Sequence, residues 1–270
     1  MEKSRTKNSI KNVSVGMISQ MINKLMAFFV RTIFIHTLNS EYLGVNGLFA
    51  NILSILSFTE LGIGTAIIYS MYKPIANNDE SKIKGLMKLY KKCYIRIGYT
   101  VFLLGLCVIP FMSFIIKDMP NVKENIYFIY ILFLLDTSCS YFFSYKKSII
   151  SAYQQERVIN KINCIFRIII SIIQIIFLIL TKNYIVYLLI QIIINLIENF
   201  YISEKAKKMF PFLREPTSYE LDKKEKKSIF SNVKSLVVYK FGSTILSSTD
   251  NILISSMMNV STVGLCSNYV

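Results

Sequence analysis

Long apolar runs alternate with short, mostly basic polar stretches along the whole chain. The apolar segments cover roughly 13–36, 45–70, 94–116, 126–147, 162–181 and 184–203; a seventh follows at about 229–258 and an eighth begins near Gly264. A helix needs about 20 mostly apolar residues to cross the hydrocarbon core. Runs of this length must be helical, because only a helix satisfies its own backbone groups in lipid. The pattern predicts an all-α, polytopic membrane helix bundle, with one six-helix lobe plus the first one to two helices of a second lobe. Its predicted divisions are a six-helix transmembrane lobe over 1–203, a cytoplasmic basic linker over 204–228, and the start of a second lobe over 229–270.

Most of the spans carry one polar face. Steps of three or four residues connect Gln20, Lys24, Ala27 and Arg31 in the first, and Asn46, Ala50, Leu53, Ser57, Glu60 and Gly64 in the second. The fourth has Asp136, Ser140, Ser144 and Lys147; the fifth has Asn163, Arg167, Ser171 and Gln174. The sixth has Tyr187, Gln191, Asn195 and Glu198, and the seventh Lys240, Ser243, Ser247 and Asp250. Residues at this spacing share one helix face. The third span lacks such a stripe; Tyr94, Gly98, Val101 and Gly105 read instead as a helix–helix or lipid face. A single Ser or Asn in a span is explained by interhelical hydrogen bonding. Six stripes with ionisable members point to a water-accessible cavity, since charges at membrane depth face a cavity or a partner.

Charge sets the orientation. Of the 31 Lys and Arg, 25 fall in 1–11, 71–96, 145–167 and 203–234, whereas the opposite loops hold only Lys117, Lys123 and Lys182. The positive-inside rule then predicts a multi-pass protein of the cell membrane with a cytoplasmic N-terminus. The first apolar run, interrupted by Gln20, Asn23 and Lys24, reads as a membrane helix rather than a cleaved signal. Hydrophobic residues make up 53% of the chain, too many for an ordinary soluble domain of 270 residues. The net charge of +15 sits in short juxtamembrane loops. There it reads as topogenic and lipid-facing rather than as a nucleic-acid surface.

Catalytic and metal chemistry find little to work with. The five cysteines show no CxxC spacing, and the single histidine, His36, lies at an outer helix end. No cofactor is expected, and no DxD, HExxH or Ser/His/Asp set supports an enzyme.

At about 1.5 Å of rise per residue, Lys24, Lys240 and Asp136 fall near the bilayer midplane. Arg31 and Asp250 lie nearer the outer face, Glu60 below the middle, and Arg167 and Glu198 near the inner mouth. A midplane cation has two readings: an anionic ligand such as a phosphate or carboxylate, or an ion pair, for instance Lys24 with Asp136 or Glu60.

Three blocks carry a resemblance. They are Tyr42-Leu43-Gly44-Val45-Asn46-Gly47-Leu48-Phe49, then Glu60-Leu61-Gly62-Ile63-Gly64-Thr65-Ala66 running on to Tyr72-Lys73-Pro74 and Asn78-Asp79, and Thr249-Asp250-Asn251-Ile252-Leu253-Ile254 followed by Val263-Gly264 and Ser267-Asn268-Tyr269. In this order and on these spans the chain resembles the Wzx-type polysaccharide flippases of the multidrug/oligosaccharidyl-lipid/polysaccharide exporter superfamily. The resemblance implies flipping of undecaprenyl-diphosphate-linked oligosaccharides for capsule, O-antigen or teichoic-acid-like polymers. It makes Lys24, Arg31 and Lys240 candidates to hold the diphosphate, with Gln20, Arg167, Gln174, Gln191 and Asn195 as cavity lining. Glu60, Asp136, Glu198 and Asp250 become candidates for coupling to protons or Na⁺, or for counter-charges that release the ligand. The implied partners are the lipid-linked oligosaccharide, membrane lipid and polysaccharide-assembly proteins.

Such flippases have two six-helix halves. An offset of 220 residues places Asn12-Val13 on Asn232-Val233, Asn39 on Asn259 and Gly44 on Gly264. The expectation is a second half opening at 229, of which the chain holds only the start, so that it is a truncated flippase or works with a missing C-terminal half. A drug or cation antiporter of the same superfamily, which would favour acidic cavity residues, is the nearest alternative. A membrane-embedded polysaccharide-synthesis enzyme and a structural membrane subunit are the others.

Overall fold

The computed structural model describes residues 2–60, 62–116, 120–215, 219–231 and 233. Lys240 and Asp250, with the eighth segment and nearly all of the seventh, lie outside the described residues. Among the described residues there are α-helices and short 3₁₀ turns but no strand. The helices are α1 (Glu2–Thr37), α2 (Ser40–Leu56), α3 (Ile63–Ala76), α4 (Glu80–Val108), α5 (Met112–Ile115), α6 (Ile126–Ser144), α7 (Lys147–Ala152), α8 (Glu156–Thr181) and α9 (Tyr184–Met209). Five stretches are long and apolar enough to cross a membrane: Ser9–Thr37, Glu80–Ile115, Ile126–Ser144, Glu156–Thr181 and Tyr184–Met209. The molecule is therefore a multi-pass membrane protein built as an all-α bundle.

The helices that start at the Lys/Arg-poor end begin in the same way. Asn39, Asn125 and Asn183 each accept two backbone N–H groups of the first turn of α2, α6 and α9. Asparagine caps satisfy donors that the helix itself leaves open. Each also lets a short loop lead straight into the next helix.

One segment departs from the sequence pattern. The second apolar run is two helices and not one. α2 ends at Leu56, Ser57–Glu60 winds as a 3₁₀ turn, and α3 restarts after Gly62. Gly62 has φ of 84°, in the left-handed region that only glycine enters without strain. The Ser57 hydroxyl donates back to Leu53 O at 2.8 Å. A broken backbone at membrane depth is tolerated where protein covers it, and α4 and α6 do so here.

The packing order runs α1, α8, α9, α6, α4, α3, with α2 lying on α6. α1 packs chiefly on α8 and touches its chain neighbour α2 only sparsely. Two apolar clusters hold the ends. At the basic end Met71, Ile83, Leu86, Ile149, Ile150 and Ile202 are buried together. At the other end Phe34, Leu48, Phe49, Ile129, Tyr130, Tyr184 and Leu188 are. Met17, Met21, Leu25 and Phe28 on α1, and Ile172, Ile176 and Leu180 on α8, remain exposed as a lipid-facing surface.

The described residues of 204–228, a segment expected as a linker, pack on the bundle. α9 continues to Met209, and Phe210, Leu221 and Ile229 are buried in the basic-end cluster. Lys84 donates to Glu215 at 2.6 Å, and Lys82 pairs with Glu225. Tyr219 lies against Gly85, where a Cβ would stand 2.6 Å from its ring.

Candidate functional site

Four helices put their polar stripes around one cavity of about 410 Å³. α1 contributes Ala27 and Arg31, α2 Asn46, Gly47, Ala50 and Asn51, α8 Arg167, Ser171 and Gln174, and α9 Tyr187 and Gln191. The cavity exists because small residues on α1 and α2 face long polar ones on α8 and α9. Gln174 is buried and donates to Tyr187 O at 3.3 Å. The Tyr187 ring meets Phe34 edge-on, with centroids 5.1 Å apart. Arg31 is half-buried and Arg167 exposed. Among the described residues, these two guanidinium groups are the charges of the lining; its other side chains are neutral, with no Asp or Glu.

Two carboxylates continue the polar track toward the basic end. Asp136 accepts hydrogen bonds from Asn195 Nδ2 at 3.2 and 3.1 Å and from Gln191 Nε2 at 3.3 Å. Gln191 thus faces both the cavity and Asp136. One helical turn on from Asn195, Glu198 receives the Asn163 amide at 2.7 Å, with the amide nitrogen also bonded to Ile159 O at 3.2 Å. Lys147 and Arg167 are near enough to act electrostatically on Glu198. Arg167 therefore stands between an acid-free cavity and a carboxylate.

A second polar site sits at the helix break. Tyr94 donates to Glu60, and Tyr90 donates to the Tyr94 hydroxyl at 3.0 Å. A third phenol, Tyr141, lies within reach of the same carboxylate. The Tyr90 and Tyr94 rings meet edge-on at 4.4 Å. Gly64, at the start of α3, allows this: a Cβ there would stand 2.6 Å from the Tyr90 hydroxyl and 3.0 Å from that of Tyr94.

The sequence-predicted residues thus divide. Arg31, Arg167, Gln174 and Gln191 line the cavity, with Asp136, Asn195 and Glu198 beneath it. Glu60 belongs to the separate phenol cage. Gln20 and Lys24 are exposed on α1, outside the cavity lining. The ion-pair reading of Lys24 with Asp136 or Glu60 is not what forms: Asp136 is held by amides and Glu60 by phenols. The reason is the packing of α1, which lies on α8 away from α4 and α6 and leaves Lys24 exposed. Sequence reasoning missed Tyr90, Tyr141 and Asn51. Only the i, i+4 spacing of Tyr90 and Tyr94 signalled a shared face. Among the described residues no three His, Cys, Asp or Glu side chains converge as metal ligands.

Fold and site together define a class: a multi-pass membrane protein with a polar interior track whose widest part is cationic. No protein-family model, curated protein or solved structure gives a significant match to the chain.

Proposed function

We propose that this chain carries a lipid-linked, diphosphate-bearing oligosaccharide across the cell membrane for surface-polysaccharide assembly. The single observation behind the reading is the cavity lining, with Arg31 and Arg167 among otherwise neutral side chains. Guanidinium forks match phosphate oxygens and keep their charge at any accessible pH. A cation carrier calls for the reverse, a lining with carboxylates. The residue types fit each part of such a cargo. Arg31 and Arg167 hold the diphosphate. The amides of Asn46, Asn51, Gln174 and Gln191 hydrogen-bond sugar hydroxyls. The lipid tail would stay in the bilayer beside α1 and α2, which touch only sparsely.

Glu198 gives a means of release, because it competes with the phosphate for Arg167. Glu60 and Asp136 are the carboxylates available to couple to protons or Na⁺. The charge pattern puts the N-terminus and the basic loops in the cytoplasm, so loading occurs from the Arg167 side.

The test is flipping of a fluorescent diphosphate-linked oligosaccharide lipid in vesicles holding the full chain, read by quenching from outside. Arg31→Gln/Arg167→Gln is expected to slow flipping about tenfold or more, ~1.4 kcal/mol of barrier, with Lys161→Gln unaffected. Flipping no faster than in empty vesicles sinks the reading. Efflux of a cationic dye in its place points to an antiporter.

A further inference from the structure

Five lysines converge on a second cavity, at the basic end of the bundle. Its volume is about 230 Å³, and its lining includes Lys84, Lys88 and Lys91 of α4, Lys146 between α6 and α7, and Lys207 of α9. Met87, Tyr145 and Leu213 supply its apolar wall. Among the described residues Glu215 is the one carboxylate of the lining, and Lys84 already holds it at 2.6 Å. Lys207 pairs with Glu204 on its own helix, and Lys88 reaches Glu220 at 3.7 Å. Among the described residues, no carboxylate lies within ion-pair distance of Lys91 or Lys146. The Lys146 ammonium donates to Ser203 Oγ at 2.7 Å and lies 5.5 Å from the Tyr145 ring centroid.

Helix ends account for part of this. Lys146 follows the C-terminus of α6, and Lys207 lies in the last turn of α9, where cations offset the carbonyl dipole. That explanation does not reach the three lysines along α4. Nor does it explain why ammonium groups from three separate places share one hollow. Like charges brought together away from bulk water repel unless a counter-ion joins them. Burial, and then Lys207 and Lys91 against the pull of Glu204, bring the Lys146 ammonium down to about 8.

We infer that this cavity binds a phosphate group, with Lys91 and Lys146 as its main ligands and Lys88 and Lys207 closing around it. Two sources share that chemistry, an anionic phospholipid head group and a soluble phosphate compound. The apolar wall and the position just past the end of a membrane-length helix, α6, suit the first; the open mouth admits either. The inference concerns a different cavity from the transport site and does not depend on what that site carries.

The experiment has two arms, both with the purified full chain. In a neutral detergent, inorganic pyrophosphate is titrated by calorimetry. In phosphatidylcholine nanodiscs, phosphatidylglycerol is added and bound lipid is counted by native mass spectrometry. Lys91→Gln/Lys146→Gln is expected to weaken binding about tenfold, or ~1.4 kcal/mol. Lys146→Arg, which keeps the charge, retains most of the affinity and shows that the site still folds. Lys73→Gln/Lys161→Gln, equal in charge and elsewhere on the surface, leaves affinity within about twofold. Variant-sensitive binding in the lipid arm alone assigns a head-group site; in both arms it assigns a general phosphate site. Equal losses in the paired variant and the control, or no binding in either arm, overturn the inference.

Discussion

The seam between α4 and α6 is closed, whereas the space enclosed by α1, α2, α8 and α9 is open, though all are apolar membrane helices. At the closed seam a Cβ on Gly98 would stand 3.2 Å from Ser138 O, and one on Gly105 2.2 Å from Leu134 Cδ1. Tyr130 adds a hydrogen bond to Gly105 O at 3.0 Å. In the open region the long side chains of Arg31, Arg167, Gln174 and Gln191 stand around about 410 Å³. Lipid gives apolar helices no reason to prefer each other over its own chains. At the α4–α6 seam small residues bring the backbones together, whereas long polar side chains surround the hollow among α1, α2, α8 and α9. The side chain at the contact thus decides between scaffold and site.

The sharpest way to break this contrast is to fill the closed seam. Gly105→Val is expected to destabilise the bundle by about 3 kcal/mol through overpacking against Leu134, measured as a lower unfolding midpoint in denaturing detergent. An unchanged midpoint would mean that α4 and α6 do not depend on close approach. The phenol cage is the intermediate case, tight but polar. Tyr94→Phe removes the hydroxyl that Glu60 and Tyr90 share, with an expected loss of ~1.5 kcal/mol. Tyr94→Phe/Glu60→Leu should recover part of that loss, and no recovery in this comparison would show that the carboxylate is not what needs the phenol.

Gln174→Leu tests the open region. Filling it with an apolar group should change stability by less than about 1 kcal/mol yet depress flipping in vesicles, since the amide contributes to the lining more than to packing. A stability loss as large as that of Gly105→Val would erase the distinction between the two regions. The smallest effect is expected at the surface. The hydrogen bond from Lys82 holds the Glu225 carboxyl below its ordinary 4.5. Its contribution is therefore present above pH 4.5 and is lost as pH falls through the lower folded value. For so exposed a pair it amounts to about 0.5 kcal/mol or less. The unfolding midpoints of wild type and Glu225→Gln should differ slightly at neutral pH and converge in acid.

Much of the bundle was legible from hydropathy alone. The runs over 13–36, 162–181 and 184–203 lie on helices of membrane-spanning length, and those over 94–116 and 126–147 do so up to Ile115 and Ser144, with Lys147 on the separate α7. The stripe on α8 was legible too, because Arg167, Ser171 and Gln174 follow helical spacing and one side of that helix must face the interior. Less was legible where two elements meet. The run over 45–70 looks continuous in hydropathy, which is blind to backbone dihedrals, so the turn at Ser57–Gly62 did not show. Lys24 and Arg31 share one stripe, yet only Arg31 reaches the cavity, since a stripe gives an angle around one helix and not the position of its neighbours. The charged segment 204–228 reads as solvated. Its docking buries Phe210 and Leu221 and pairs residues more than a hundred positions apart, such as Lys84 with Glu215, and neither follows from local charge.

The sequence by itself determined that the chain crosses the membrane several times as helices, and which face of most of them is polar. Those properties follow from length, hydropathy and the 3.6-residue repeat, all local along the chain. Tertiary structure alone decided that Asp136 is held by amides and Glu60 by phenols, that two arginines share a cavity with no acid among its described lining residues, and that five lysines from distant segments meet in another. Each of these is set by the distance between side chains on different helices, which crossing and register fix and no single segment encodes.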